Sequence, residues 1–308
     1  MKFNVALPGN NHIPGTPVWS WQLSPRDWRR FAVTVDQLGF DTLSTSEHFA
    51  MPYEEVPRLG PYWLHALSVM AFVAGVTERV RIDTTVIVLP YHQPLALAKA
   101  LATIDVLSGG RLNVSVGVGH AVREFEALGV PFRERGARAD EMLTAMEELW
   151  SADEPVFRGR FYNIEGLAFE PKPVQRPRPP IYVGGNSEAA LRRAVRYDGW
   201  QCNPSHIGFD EVQPVLDYLR SRPEYAAKKD TFDLFWLPSP EMWESGTFGD
   251  ASAAALTAYQ ERLLEWFAHL RSLGMTRNRL PLPATSSLDE YLDYLRWFDE
   301  EVTPKITP

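Results

Sequence analysis

The sequence predicts an α/β chain, a single (β/α)8 TIM barrel over residues 1–308 with a rim insertion at 121–180, after its fourth strand. Three observations predict it. Strand-like and helix-like segments alternate through most of the chain, the pattern of a parallel sheet covered by helices. Eight strand candidates are joined by mostly helical connections. Two strands also lose their side chains at the carboxyl end, at Gly117-Val118-Gly119 and at Gly184-Gly185. Glycine adds chain entropy and packs nothing inside a strand, so a pair at that end suggests that something lies against bare backbone. An open doubly wound sheet fits less well, because the first strand lacks the Gly-x-Gly-x-x-Gly turn of a dinucleotide fold.

The elements follow in order. Phe3–Leu7 reads as strand one. Ser24 caps a helix, with Pro25 in its first position, Asp27 complementing the dipole and Gly39 after its end. Asp41–Ser46 is strand two, opening onto Glu47-His48-Phe49. Leu64–Val76 reads as a helix, Val80–Leu89 as strand three and Leu95–Leu107 as a helix. Ser108-Gly109-Gly110 ends that helix before strand four, Arg111–Gly119, in which Val114, Val116 and Val118 alternate. Within the insertion, Arg138–Trp150 has a clear helical stripe. Val156–Phe169 reads as a hairpin turning at Gly159, with its second arm near Leu167-Ala168-Phe169. Strand five is Ile181–Val183, followed by a helix over Ser187–Tyr197. Shorter strands are expected near Trp200–Cys202, Phe232–Leu237 and Arg279–Leu282, with helices near Val212–Arg220 and Ala254–Leu273. Ser287-Leu288-Asp289-Glu290 is a capping box opening the final helix.

Composition excludes several function classes. A net charge of -8 argues against nucleic acid and against anionic membranes. No apolar run reaches the roughly 20 residues that a membrane span needs. The N-terminus goes straight into a strand, with no secretory h-region. The single cysteine, Cys202, rules out an internal disulfide framework and suits a reducing cytoplasm. The seven histidines show no tight ligand spacing, so no metal site is expected. No Gly-x-Ser-x-Gly elbow marks a nucleophile.

The chemistry of such a barrel sits where its strands end. His48, after strand two, could donate a hydrogen bond or a proton to a bound ring, or could be a structural histidine held by a carboxylate. Thr84 and Thr85 could hydrogen-bond a polar ring edge. Gly117, Val118 and Gly119 could lie along a cofactor, with His120 facing substrate. At Gly184-Gly185-Asn186-Ser187, bare amides and a good N-cap could hold a phosphate, the alternative being a plain strand-to-helix turn. The rim loops Pro52–Trp63 and Pro238–Gly249 carry the aromatic content and are expected to select an apolar substrate.

Several motifs, in order, resemble the bacterial luciferase-like oxidoreductase family. They are Leu38-Gly39-Phe40-Asp41 with Ser46-Glu47-His48, Leu107–Arg111, Gly117-Val118-Gly119, Arg123–Gly136, Pro171–Gln175, Pro179–Gly185 and Asp198-Gly199-Trp200. Any one is weak; their order and spacing are specific. The resemblance implies a barrel binding a flavin or deazaflavin at its carboxyl end, and the insertion resembles the branch that uses coenzyme F420. It places Glu47 and His48 near the ring, Thr84, Thr85 and Val86 beside it, and a cis Thr85-Val86 peptide in that strand. Gly117, Val118 and Gly119 would pack along the cofactor, and Val183, Gly184, Gly185 and Asn186 would hold its phosphate. His120 stands where relatives often carry Trp or an acid. The implied activity is F420-dependent hydride transfer with a small organic substrate, by a homodimer. The alternatives are an FMN-dependent monooxygenase using molecular oxygen and a non-catalytic flavin-binding protein.

Overall fold

The computed structural model describes residues 1–202, 207, 211–237, 253–281 and 283–306. The expected substrate-selecting loop Pro238–Gly249 and Leu282 of the expected last strand lie outside the described residues. The strands are β1 (Lys2–Ala6), β2 (Thr42–Thr45), β3 (Arg81–Thr84), β4 (Ile87–Val88), β5 (Val114–Gly117), β6 (Phe157–Arg158), β7 (Asn163–Ile164), β8 (Ile181–Gly184), β9 (Gly199–Cys202), β10 (Asp233–Trp236) and β11 (Arg277–Arg279). The helices are α1 (Pro25–Gln37), α2 (Val56–Leu59), α3 (Ala66–Val76), α4 (Pro94–Leu107), α5 (Val122–Ala127), α6 (Arg135–Ser151), α7 (Glu188–Ala194), α8 (Val212–Arg220), α9 (Pro223–Ala226), α10 (Ala253–Ser272), α11 (Leu288–Trp297) and α12 (Thr303–Ile306). The chain divides into two compact units, one of Met1–Gly9, Gly15–Ser44 and Gly184–Pro308, the other of Asn10–Pro14 and Thr45–Val183.

In the first unit the strands run β2-β1-β11-β10-β9, all parallel. Phe3 packs edge-on against Phe267 and Phe298, with 5.1 Å between centroids in each case. The start of α1 forms as its residues dictate. The Ser24 hydroxyl accepts from the Asp27 amide, and the Asp27 carboxylate accepts from the Ser24 amide, closing a reciprocal box. At α11 only half of the expected box forms. Ser287 Oγ accepts from the Glu290 amide, but the Glu290 carboxylate reaches one residue further back, to the Ser286 amide and hydroxyl. Polar groups occupy part of this interior: Arg277, 1% exposed, donates to Asp41 at 2.8 Å.

In the second unit β4, β5 and β8 pair in parallel, and Ile82 of β3 bridges to Leu112. Helices α3 and α4 pack together, as do α4 and α6. Trp150 of α6 is fully buried, and its indole donates to the Ala98 carbonyl at 3.1 Å. The Arg111 guanidinium donates to Thr77, Val80, Ala74 and Ser108, tying the end of α3 to the turn after α4. A planar five-donor group can satisfy that many carbonyls at once, and a lysine cannot.

Two expectations are corrected here. The third strand is not continuous over Val80–Leu89: its ladder stops at Thr84 and resumes at Ile87, around a cis Thr85-Val86 peptide, as the resemblance implies. The hairpin turns at Gly159 as expected, where the Gly159 amide donates to the Tyr162 carbonyl, but its second arm is Asn163–Ile164. The Glu141 carboxylate captures the amides of Arg160, Phe161 and Tyr162, which brings the return strand in early. The insertion also contains α5, whose six residues are too few to show a helical period in sequence.

Candidate active site

The second unit gathers the candidate chemistry just beyond the carboxyl ends of β2, β4 and β5. Two consecutive residues after β2 each enter a carboxylate–imidazole pair, in opposite roles. His48 supplies the imidazole of the first: its Nδ1 lies 2.7 Å from Glu124 Oε2, on α5. Glu47 supplies the carboxylate of the second: its oxygens accept from His92 Nε2 at 3.0 and 3.1 Å, and Oε2 also accepts from the Val88 amide at 2.8 Å.

Glu124, 3% exposed, is fully engaged. Oε1 accepts from the amides of Phe49 and Ala50 at 2.7 and 3.1 Å, and Oε2 accepts from the Tyr91 hydroxyl at 2.9 Å as well as from His48. Burial pushes its pKa up, but the hydrogen bond and charge of His48, the Ala50 amide and the Tyr91 hydroxyl outweigh burial and hold it below the usual carboxylate range. Burial, followed by the Glu124 charge, pushes the Tyr91 hydroxyl up, so it stays a proton donor.

The His48 ring is fixed on its other sides by Trp63, edge-on at 4.6 Å, and by His120, perpendicular at 5.6 Å. His120 itself keeps an exposed surface. Even so, lost water around its ring, then the neighbouring His48 and Arg58, lower its pKa, against the opposing pull of Glu55 and Glu124. His120 is therefore biased toward its neutral form. On the same unit His12 stacks on Tyr62 at 3.8 Å, and the Trp63 indole donates to the Gly60 carbonyl.

The remaining expected site residues fall into two groups. His48, Thr85, Val86, Val118 and Gly119 keep partial exposure at this end of the unit, and His120 is the most open. Thr84 does not: it is fully buried, and its hydroxyl donates to the Ser115 carbonyl at 2.6 Å, so it joins strands and offers nothing to a ring edge. Glu47 is buried with both oxygens engaged. Val183 is 1% exposed and belongs to the interior. The β5 glycines also need a different explanation. A side chain at Gly117 would meet Val86 Cγ2 at 2.7 Å, and one at Gly119 would meet Val88 Cγ1 at 2.6 Å and Phe125 at 3.0 Å. The absent side chains make room for the protein's own valines and phenylalanine, which is reason enough for glycine at both positions. In the first unit, Gly184, Gly185 and Asn186 are partly exposed before α7. The positive φ of Gly185, 117°, requires glycine there, and Ser187 caps the helix by accepting from the Ala190 amide. The Gly185 amide donates within the protein, to the Gln201 carbonyl at 3.3 Å.

Sequence reasoning missed Glu124, Tyr91 and His92 as members of this cluster. The only signal was the His48 alternative of a carboxylate partner. The partner stands 76 residues away, so no local pattern could name it.

The family model described as luciferase-like monooxygenase matches residues 1–274. The chain belongs to this family. The luciferase-like chain is an oxidoreductase of the TIM-barrel class, and its relatives include both F420-dependent and reduced-FMN-dependent enzymes. It is 33% identical over 203 residues to an F420-dependent glucose-6-phosphate dehydrogenase of Amycolatopsis mediterranei, a match covering 63% of this chain and 59% of that protein. It is 27% identical over 243 residues to the oxygenase component of a flavin-dependent trigonelline monooxygenase of Acinetobacter baylyi, covering 78% and 65%. A solved monooxygenase, RslO1 of Streptomyces bottropensis, aligns with a TM-score of 0.73 at 25% identity over 99% of each chain. Among the described residues of this luciferase-like chain, no helix is long and apolar enough to cross a membrane.

Proposed function

We propose that residues 1–308 form one luciferase-like domain catalysing F420-dependent hydride transfer to or from a small organic substrate. The observation that carries the reading is the carboxylate-held His48, its ring bordered by Trp63 and His120 at the carboxyl ends of the strands. A flat heterocycle would lie against the half-exposed residues of this unit, with Val86 and Val118 for apolar contact, His48 for a ring nitrogen, and the Thr85 hydroxyl, which donates to the Thr45 carbonyl at 3.4 Å, as an acceptor. The buried Glu47 and Thr84 would support that set from behind without touching the ring. Gly184, Gly185 and Asn186, partly exposed before α7 in the first unit, are proposed as phosphate contacts on the family resemblance. A deazaflavin, when bound, supplies the hydride chemistry. His48 would hold or deliver the proton on the substrate oxygen, and Trp63 would exclude water from the same face. The likeness to the glucose-6-phosphate dehydrogenase supports F420.

A specific likeness favours a second reading. The solved monooxygenase matches nearly the whole chain, and with the flavin-dependent trigonelline monooxygenase it supports a reduced flavin, FMN, reacting with molecular oxygen. Titrating the protein separately with F420 and with FMN, followed by absorbance and fluorescence, decides between them. Tight F420 binding with hydride exchange is the expected result. FMN binding alone, with oxygen uptake, would replace the first reading by the second.

We also propose a homodimer, with no nucleic-acid or membrane partner. The exposed apolar side chains Phe72 on α3 and Leu95, Val106 and Leu107 on α4 support it. Sedimentation of the purified chain at twice the mass of 34.9 kDa is expected; a monomer would refute it. The buried thiol of Cys202, its pKa raised by burial, fits a reducing cytoplasm.

A further inference from the structure

We propose that Glu124 is a positioning residue that fixes the tautomer of His48, leaving Nε2 as the nitrogen that exchanges protons at the candidate active site. What Nε2 does there rests on the oxidoreductase reading above; the tautomer assignment does not.

Three neighbours hold the His48 ring, but only one distinguishes its nitrogens. Trp63 and His120 present edges and faces, which restrict orientation without selecting a proton position. Glu124 Oε2, 2.7 Å from Nδ1, does select it. A single proton lies between that oxygen and that nitrogen. Imidazole is the more basic partner, with a usual pKa near 6.5 against about 4.3 for Glu. Two amide donors on Oε1 and the Tyr91 hydroxyl on Oε2 make the carboxylate poorer still as a proton acceptor. The proton therefore belongs to Nδ1, and a neutral His48 carries its lone pair on Nε2. The second pair shows that the arrangement is particular to His48. In it the imidazole uses Nε2, and one carboxylate takes both that nitrogen and the Val88 amide, so His92 is turned inward.

The titratable groups facing this cluster are Glu124 on α5, Tyr91 and His92 after β4, Glu47 and His120 at the strand ends, and Glu55 and Arg58 around α2. None of the others reaches His48 Nδ1 by a hydrogen bond among the described residues. The same Glu124 also pins the Phe49 and Ala50 amides, so loss of activity on mutation would not separate positioning from simple support of the loop.

Histidine side-chain nitrogen–proton NMR on the full-length, cofactor-free protein makes the separation, with His48 assigned from the signal lost in His48→Asn. In the wild type, neutral His48 is expected to carry its proton on Nδ1. Glu124→Gln keeps the shape and the loop contacts but removes the charge. It should let the Nε2–H tautomer of His48 appear, because the amide that replaces Oε2 donates to Nδ1 instead of accepting from it. Tyr91→Phe leaves the Glu124 carboxylate in place and should keep the Nδ1–H tautomer. The wild-type tautomer stands as evidence if Glu124→Gln does not fold. A wild-type His48 protonated on Nε2, or a Glu124→Gln that keeps the Nδ1–H tautomer, overturns the proposal. The expected spectra without turnover on F420 or FMN would instead count against the oxidoreductase reading and leave the positioning role standing.

Discussion

His48 and His120 are both histidines at strand ends, yet their surroundings give them different work. His48 is gripped by a carboxylate and nearly enclosed, while His120 is open to solvent and its pKa is lowered. A positioned proton donor or acceptor contributes about 10²–10⁴-fold in rate. Replacing His48 by Ala should therefore lower kcat by that order with little change in cofactor affinity, whereas His120→Gln should leave kcat within about tenfold. Steady-state kinetics with the cofactor identified by titration checks both, and an unchanged kcat in His48→Ala removes His48 from the mechanism. Glu124 adds a prediction about pH. Its folded pKa lies below the usual carboxylate value of 4.5. The stability it contributes is thus fully present above about pH 4.5 and is lost as pH falls through the lower folded value. Urea unfolding across the acid range should show this loss in the wild type and a flatter profile in Glu124→Gln.

At the scale of elements, β5 carries the main lesson. Its glycines are legible in the sequence, and so is their place at a strand end, but their purpose is not. Gly117 accepts the Val86 methyl and Gly119 accepts Val88 and Phe125, so β4, β5 and α5 interlock through missing side chains. Gly119 is also held at φ 76°, where a Cβ is disfavoured. Overpacking a core costs about 1–3 kcal/mol. Gly117→Ala should fall in that range, and Gly119→Ala should exceed it by about 1–2 kcal/mol for the left-handed backbone. Denaturant midpoints would measure both. Equal, negligible losses would return these glycines to the role of a bare surface awaiting a ligand. Helix boundaries, by contrast, follow local chemistry that the sequence exposes. Ser24 with Asp27, Ser187 and Ser287 all cap where expected. The errors occur where a distant group intervenes, as when Glu141 folds the hairpin arm early.

Across the whole molecule, the sequence by itself determined the fold class and the family. Both are written in periodicity, in turn chemistry and in the order of motifs along the chain, and the family model matches residues 1–274. It also placed His48 at a strand end, because strand ends follow from counting elements. Only the tertiary structure decided which of the expected site residues are accessible. Thr84, Glu47 and Val183 look like their exposed neighbours in a linear reading, yet they are sealed inside. Only the structure decided that Glu124 holds His48, across 76 residues of chain. The physical reason is the same in each case. Periodicity and capping act over a few residues, whereas burial and the pairing of charged groups depend on segments that meet only after the chain has folded.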